Sequence, residues 1–125
     1  MYQIEKICDT CFLIKATGTF PPPVAEKFIK EFKELTKDVS ENLSIIVDLT
    51  DAILLSIDSI DIVLDLLKRN NDRLYRSAFI IKRNPPLNEE FKYLLDHAQS
   101  PKRKIVSNIE EAKEWIGIDE IVVKK

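Results

Sequence analysis

Two hydrophobic periodicities alternate along this sequence, and their alternation limits the fold more than any other feature. Short apolar runs typical of buried strands occur at residues 43–49, 77–81 and 104–106. Between and after them, apolar residues recur every three to four positions, which is the period of an amphipathic helix. Strands that alternate with helices in this way pair in parallel through right-handed crossovers. The pattern therefore predicts an α/β fold.

The beginning of the chain departs from this alternation. Two short apolar runs, which contain Ile4 and Phe12, flank the tetrapeptide Cys-Asp-Thr-Cys at residues 8–11. Because this connection is too short for a crossover, the two strands are predicted to form an antiparallel hairpin. Gly18 and the three prolines at 21–23 are expected to end the second strand and to lead into a helix.

Four helices are predicted after the hairpin. Their apolar positions span residues 24–39, 57–70, 87–98 and 108–116. Ser107 and Glu110 form a capping-box pattern before the last helix, and Gly117 is expected to end it. Residues 121–123 could add a terminal edge strand. The predicted fold is one α/β domain, residues 1–125, in which a β-hairpin precedes largely parallel strands in the order ββαβαβαβα(β).

Charge and composition exclude several classes of protein. The 19 basic and 21 acidic residues are interleaved, and a net charge of −2 gives no general attraction to nucleic acid. The most apolar stretch, residues 52–67, contains Asp58, Asp61 and Asp65, which excludes a transmembrane segment. The first residues lack the pattern of a secretory signal, so we expect a cytoplasmic protein.

Two local motifs resemble a known family. Residues 46–50 (Ile-Val-Asp-Leu-Thr) are similar to the apolar-apolar-Asp-Leu-Ser strand end of SpoIIAA-like (STAS) domains, and residues 110–116 (Glu-Glu-Ala-Lys-Glu-Trp-Ile) are similar to the Glu-Ala-x-x-Trp-Leu ending of the SpoIIAA-like branch. With the element order, the resemblance spans nearly the whole chain. It implies a SpoIIAA-like mixed sheet with four helices and a non-enzymatic regulatory or binding module.

The phosphorylation site of this family has no clear counterpart. Members that antagonise anti-sigma factors carry Asp-Ser-Ser-Gly after the third strand, and its serine is phosphorylated. Asp58 and Ser59 match this motif only if two extra residues are placed in the loop, and no glycine follows. Without that insertion, Ser56 is the N-cap of the second helix, which is the interpretation that we favour. The resemblance is closer to the branch without the switch, which is also similar in fold to lipid-binding CRAL-TRIO domains.

The two cysteines suggest neither redox chemistry nor a metal site. Thiolate chemistry usually places a CxxC motif at a helix N-terminus, whereas strand residues follow Cys11 here. A zinc site would need two more ligands, and His97 is the only histidine. Without an export signal, a disulfide is also improbable. We therefore expect Cys8 and Cys11 to be reduced residues of a hairpin turn, with no metal and no cofactor.

An enzyme remains an alternative interpretation. Asp48 and Asp51 lie at the end of a predicted parallel strand, where they could act as acid and base or bind a cation. His97, late in the third helix, could act as a general base, but no recognisable motif supplies a nucleophile. Aspartates at strand ends also commonly make local hydrogen bonds. A carrier of lipid or another apolar ligand, and a homodimer formed through an edge strand, are further alternatives.

The predicted contact surface lies at the carboxyl ends of the parallel strands. Right-handed crossovers bring the starts of the second, third and fourth helices to this rim, where free N–H groups attract anions or acidic side chains. The residues predicted to contact a small ligand or a protein partner are Ser56, Ser59, Arg83, Asn84, Ser107 and Asn108. Asn84 is not expected to act as a helix cap, because Pro85 and Pro86 already set the turn.

Two further groups of residues are predicted to have structural or solvent-exposed roles. Trp115 is predicted to be half-buried and to pack over the edge of the core. The basic side chains of the opposite rim are predicted to be mobile and solvated; they are Arg69, Arg73, Arg76, Lys102, Arg103 and Lys104.

Overall fold

The predicted alternation of strands and helices is confirmed. The computed structural model describes residues 2–55, 57–82, 84–98 and 101–117. Its elements are β1 (Tyr2–Lys6), β2 (Cys11–Phe20), α1 (Pro22–Thr36), β3 (Leu43–Leu55), α2 (Ile57–Asn70), β4 (Leu74–Ile80), α3 (Pro85–Ala98), β5 (Arg103–Val106) and α4 (Ile109–Ile116). The terminal strand predicted at 121–123 lies outside the described residues.

The five strands form one mixed sheet in the order β1-β2-β3-β4-β5. β1 pairs antiparallel with β2, as the short connection predicted, and the remaining pairs are parallel. Each of the three crossovers steps to the next strand in the same direction, so α1, α2 and α3 cover the same face of the sheet. β1 and β5 form the edges of the described sheet, and a homodimer through either of them stays a prediction.

Aliphatic and aromatic residues together form the core under these three helices. Phe28 and Phe32 of α1 pack with Ile14 and Ile45 of the sheet. Under α3, the buried side chains that pack together include Leu87, Phe91, Leu94 and Phe79. Both helices contribute residues at three- to four-residue spacing, because only such a stripe can face the sheet continuously.

The opposite face of the sheet is covered by α4. Ala112 and Ile116 pack on strand residues that include Ile46 and Val106. Trp115 is partly buried against this cluster, and its indole N–H donates to the carbonyl oxygen of Ser77 at 3.0 Å. The half-buried position predicted for Trp115 is therefore confirmed.

β2 and β3 extend further than the sequence predicted. β2 continues through Gly18, which has a φ of 70°, to Phe20, and β3 continues past Leu49 to Leu55. Their register shifts between Lys15 and Thr17 and again beyond Gly18, which are bulges that bend the ribbon while its pairing continues. Glycine accommodates the positive φ without strain, so it bends the strand here instead of ending it.

The last helix begins one residue later than predicted. Asn108, not Ser107, is the N-cap of α4, because its side-chain oxygen accepts the Glu111 N–H at 2.9 Å. The Glu111 carboxylate in turn accepts the N–H of Ser107 at 2.9 Å. The predicted stop is confirmed, since Gly117 has a φ of 79° and donates its N–H to the carbonyl oxygen of Lys113.

The cysteines form a disulfide, so the expectation of reduced thiols was wrong. Cys8 and Cys11 are bonded to each other across the β1–β2 turn. The turn is closed by a hydrogen bond from Ile7 N–H to the Cys11 carbonyl oxygen at 2.9 Å. It holds the two Cα atoms 4.7 Å apart, within the range that a disulfide can bridge.

The arginines near the starts of the parallel strands are fixed by hydrogen bonds. Arg73 donates to the carbonyl oxygens of Thr36 and Val39, which lie at and beyond the end of α1, at 2.8 and 2.9 Å. Arg103 donates to the carbonyl oxygen of Leu67 in the last turn of α2 at 2.8 Å. The guanidinium groups thus satisfy carbonyls that a helix leaves unpaired at its C-terminus.

A third arginine acts in the same way on the other face of the sheet. Arg76 donates to the carbonyl oxygen of Trp115 at 2.8 Å, and its guanidinium carbon lies 4.5 Å from the centre of the indole ring. Lys104 contacts the same ring at 5.4 Å. The expectation of mobile charges was therefore wrong for Arg73, Arg76 and Arg103. Arg69 is exposed, and it forms an ion pair with Asp65 along α2.

No helix in the described parts of the chain is long and apolar enough to cross a membrane.

Replacing Cys8 and Cys11 together by serine should lower the free energy of unfolding by no more than about 2 kcal/mol, because the disulfide closes a short loop. Urea unfolding of the oxidised parent, the reduced parent and the double variant would measure this. The last two should agree, and complete loss of the folded state would contradict the expectation.

Arg73→Ala should lower the free energy of unfolding by about 3 kcal/mol, because it leaves buried carbonyl oxygens at the end of α1 without donors. Arg69→Ala is the matched control and should change stability by less than about 0.5 kcal/mol, since its ion pair is exposed. Equal losses in urea unfolding would show that Arg73 does not hold the helix end.

Candidate functional site

The six residues predicted to contact a ligand or partner differ in exposure and in hydrogen bonding. Ser56 and Arg83 lie outside the described residues. Ser107 and Asn108 are exposed at the start of α4, where they also make its capping interactions. Ser59 and Asn84 make structural hydrogen bonds, described next. A role of these six residues in binding stays a prediction.

Asn84 is the cap of α3, so the expectation that it is not needed as a cap was wrong. Its side-chain oxygen accepts the N–H of Leu87 at 3.2 Å, and its amide nitrogen donates to the carbonyl oxygen of Ala52 at 3.2 Å. Pro85 and Pro86 have no N–H group, so Leu87 carries the first donor of the helix that needs an acceptor. The same side chain thereby connects α3 to the extension of β3.

Ser59 is fully buried in the first turn of α2. Its hydroxyl donates to the carbonyl oxygen of Phe20 at 2.5 Å, which attaches α2 to the end of β2. In this position the hydroxyl is not accessible to a kinase unless the start of α2 opens. The geometry thus gives Ser59 a structural contact; this residue would match the phosphorylated serine of the family only with two extra residues in the preceding loop.

The candidate catalytic residues are not brought together. The Asp48 carboxylate accepts the N–H of Thr50 at 2.9 Å, and Asp51 is exposed within the extension of β3. His97 lies in the last turn of α3, exposed and stacked on Tyr93 with ring centres 3.9 Å apart. Because α3 ends where β5 begins, His97 lies near the amino ends of the parallel strands, whereas Asp48 is paired with Ile80 at the carboxyl end of β4. Among the described residues, no group of three metal-ligating side chains is found.

A cavity of about 90 Å³ lies between the sheet and helices α1, α2 and α3. Strand residues on its floor include Ile14, Ile45, Val47, Leu49 and Phe79. Helix residues on its walls and roof include Phe28, Phe32, Val63, Leu66, Leu67 and Phe91. The lining is therefore mainly apolar, and it includes residues of both hydrophobic clusters on this face of the sheet.

The two ends of the cavity differ in chemistry and exposure. At the carboxyl ends of β2 and β3 it is lined by Gly18, Thr19, Phe20 and Ala52, which we call the mouth because Thr19 is exposed there. Ser59 and Asn84 hydrogen bond to the carbonyl oxygens of Phe20 and Ala52, so these two predicted contact residues hold the backbone of the mouth.

Asn70, Ser77 and Arg103 line the other end of the cavity, which we call the buried end. Ser77 is 1% exposed and Arg103 is 8% exposed. Burial lowers the pKa of Arg103 to about 10, so its guanidinium remains protonated at neutral pH. The buried end therefore presents a positive charge to an otherwise apolar space.

Sequence reasoning missed both the cavity and its charged end. A cavity depends on how side chains from distant elements fill a shared volume, which no local pattern reports. The inward orientation of Arg103, however, could be predicted from the sequence. It is two residues before Ile105, so in a strand the two side chains point to the same face, and an inward-facing arginine could have been recognised.

Ser59→Asp should lower the free energy of unfolding by about 3 kcal/mol or more, because it places a carboxylate in a fully buried position and removes the donor to Phe20. Ser107→Asp is the matched control; its side chain is exposed, and stability should change by less than about 0.5 kcal/mol. A Ser59→Asp protein as stable as the parent in urea would reopen the phosphorylation interpretation.

Comparisons with known proteins support the fold rather than a specific activity. No protein-family model matches the sequence, and no curated protein sequence matches it significantly. Among the similar solved structures are three that match over nearly their whole length. The first is an uncharacterised protein of the DUF3478 family with a SpoIIAA-like fold from Shewanella loihica PV-4, with a TM-score of 0.70 and 18% identity over 93% of this chain and 92% of that one.

Two further similar structures are of anti-sigma factor antagonists. SpoIIAA in its unphosphorylated form has a TM-score of 0.63 and 13% identity, over 94% of this chain and 98% of that one. An antagonist from Mycobacterium paratuberculosis has a TM-score of 0.68 and 10% identity, over 94% of this chain and 93% of that one. With the five-stranded mixed sheet and four helices described above, these likenesses show that the chain has the SpoIIAA-like fold.

Proposed function

We propose that this chain is a non-enzymatic binding module that takes a small, largely apolar ligand into the cavity beneath α2. The observation that carries the proposal is the cavity of about 90 Å³, several times the space that a single water molecule requires. Protein interiors are normally close-packed, and an apolar cavity costs stability because its lining loses contacts. A ligand of matching shape restores those contacts and buries its own apolar surface.

The positions of the titratable residues support a binding role over catalysis. Asp48 and Asp51 lie in β3 level with and beyond the carboxyl end of β4, His97 lies near the amino end of β5, and none of the three lines the cavity. General acid–base catalysis needs its groups within hydrogen-bond distance of one reacting centre. The alternative of a small enzyme that uses these residues therefore has less support than the apolar-ligand interpretation.

A second candidate is regulation through a protein partner. It is supported by the likeness to two anti-sigma factor antagonists and by the exposure of Ser107 and Asn108 at the predicted contact rim. The mouth of the cavity opens towards the same rim. A ligand at the mouth would change the surface that such a partner contacts, so the two candidates are compatible.

Val63→Phe tests the ligand proposal. Val63 of α2 is half-buried over the cavity, so a phenyl ring at this position should fill part of the space. Calorimetric titration with 1-alkanols of four to ten carbons should detect binding to the parent and at least about 10-fold weaker binding to Val63→Phe, since about 1.4 kcal/mol of lost contact suffices. Thermal stability should not fall, because the substitution adds contacts within the cavity.

Val24→Phe is the matched control, because Val24 is a half-buried valine of α1 that does not line the cavity. It should bind the alkanols as the parent does. Equal binding by Val63→Phe and the parent, or no binding of any alkanol to the parent, would contradict the proposal. Native mass spectrometry of protein purified from its own source would show whether a small molecule or a protein partner accompanies it.

A further inference from the structure

Two polar side chains project into the cavity at its buried end. Ser77 of β4 and Arg103 of β5 are direct partners in the parallel register, so their side chains lie next to each other on the same face of the sheet. Both line the cavity, and both are more than nine-tenths buried, at 1% and 8% exposure. The sheet register thus presents a hydroxyl and a guanidinium to the cavity as neighbours.

Each of these side chains has an atom without a partner. Among the described residues, Ser77 Oγ and Arg103 Nε form no hydrogen bond. The Nη2 atom of Arg103 donates to the Leu67 carbonyl oxygen at 2.8 Å and to Asn71 Oδ1 at 3.2 Å. Buried donors are nearly always satisfied in folded proteins, so a group beside the cavity that lacks a partner indicates a missing acceptor.

The charge of Arg103 is also uncompensated. Within the described parts of the chain, Arg103 forms no ion pair, and its two hydrogen-bond acceptors are neutral oxygens. The Leu67 carbonyl carries part of the negative end of the α2 dipole, which offsets only a fraction of a unit charge. A buried cation is unfavourable without a counter-charge, and an anion in the cavity would provide one.

We propose that the buried end binds the carboxylate of a small amphipathic acid, such as a medium-chain fatty acid, whose hydrocarbon chain fills the apolar part of the cavity. Arg103 Nε–H and the Ser77 hydroxyl donate to the carboxylate oxygens. The inference rests on the proposed ligand-binding function and specifies the chemical class of the ligand. Its carboxylate points inward and its methyl end points towards the mouth.

The electrostatics of the mouth support this orientation. Tyr2 lines the cavity near the mouth, next to Phe20, with ring centres 6.3 Å apart. Burial and, to a smaller extent, the Glu31 carboxylate raise the pKa of Tyr2, so the phenol stays neutral at neutral pH. Among the described residues that line the cavity, Arg103 carries the charge that a carboxylate would meet, and it lies at the buried end.

Calorimetric titration with octanoate and with 1-octanol tests the assignment, because the two probes share a chain and differ in head-group charge. Octanoate should bind the parent at least about 10-fold more tightly than octanol. Ser77→Ala should reduce that ratio about 3-fold, and Arg103→Met, which keeps the length but removes the charge, should abolish it. Arg69→Met, at an exposed arginine of α2, should leave the ratio unchanged.

The outcomes separate this inference from the proposed function. If octanol binds as tightly as octanoate and Val63→Phe still weakens both, the carboxylate assignment is wrong and the apolar-ligand proposal stands. If neither probe binds the parent, both are wrong. Arg103 also holds the end of α2, so urea unfolding must show that Arg103→Met is folded. If it is not, an unchanged ratio in Ser77→Ala overturns the assignment and a reduced ratio supports it.

Discussion

The hydrogen bonds that close the C-terminal ends of the helices support much of this structure. Three crossovers in the same direction place the C-termini of α1, α2 and α3 near the amino ends of the parallel strands. Their unpaired carbonyl oxygens and negative dipole ends converge there. Arg73 closes α1, Arg103 closes α2, and the Asn71 amide donates to the Ala98 carbonyl oxygen at the end of α3. Because Arg103 also lines the cavity, the interaction that completes α2 supplies the charge at the buried end.

Most of the architecture could be predicted from the sequence because it depends on local patterns. Amphipathic spacing predicted four helices, and the short Cys-Asp-Thr-Cys connection predicted the hairpin. The predictions were wrong where contacts between residues distant in sequence, or the geometry of a turn, determine the structure. Glycine is unfavourable in strands, so Gly18 was predicted to end β2, but the pairing of β2 with β3 continues across it. The cysteines were predicted to be reduced because the sequence lacks an export signal and a strand follows the CxxC motif. The geometry of the turn nevertheless brings the two residues together.

The candidate site was less predictable than the fold. The sequence indicated the rim at the carboxyl ends of the strands because helix starts and polar residues coincide there. Two of those residues, Ser59 and Asn84, proved to make hydrogen bonds that hold the mouth of a cavity. Whether Ser77 and Arg103 face the same space depends on the register of β4 and β5, which is set by the packing of the whole sheet.

The attachment of α2 has a consequence for how the molecule moves. A hydrogen bond from Ser59 connects the first turn of this helix to β2, and a hydrogen bond from Arg103 of β5 connects to its last turn. Val63, between these two turns, lies over the cavity. A helix held at both ends above a loosely filled space can bow outward without breaking any strand pairing. The amides around the half-buried Val63 should therefore open to solvent at a lower free energy than those around Leu94 of α3, which is fully buried and does not line the cavity. Such a fluctuation would let a molecule pass into the interior while the sheet remains intact.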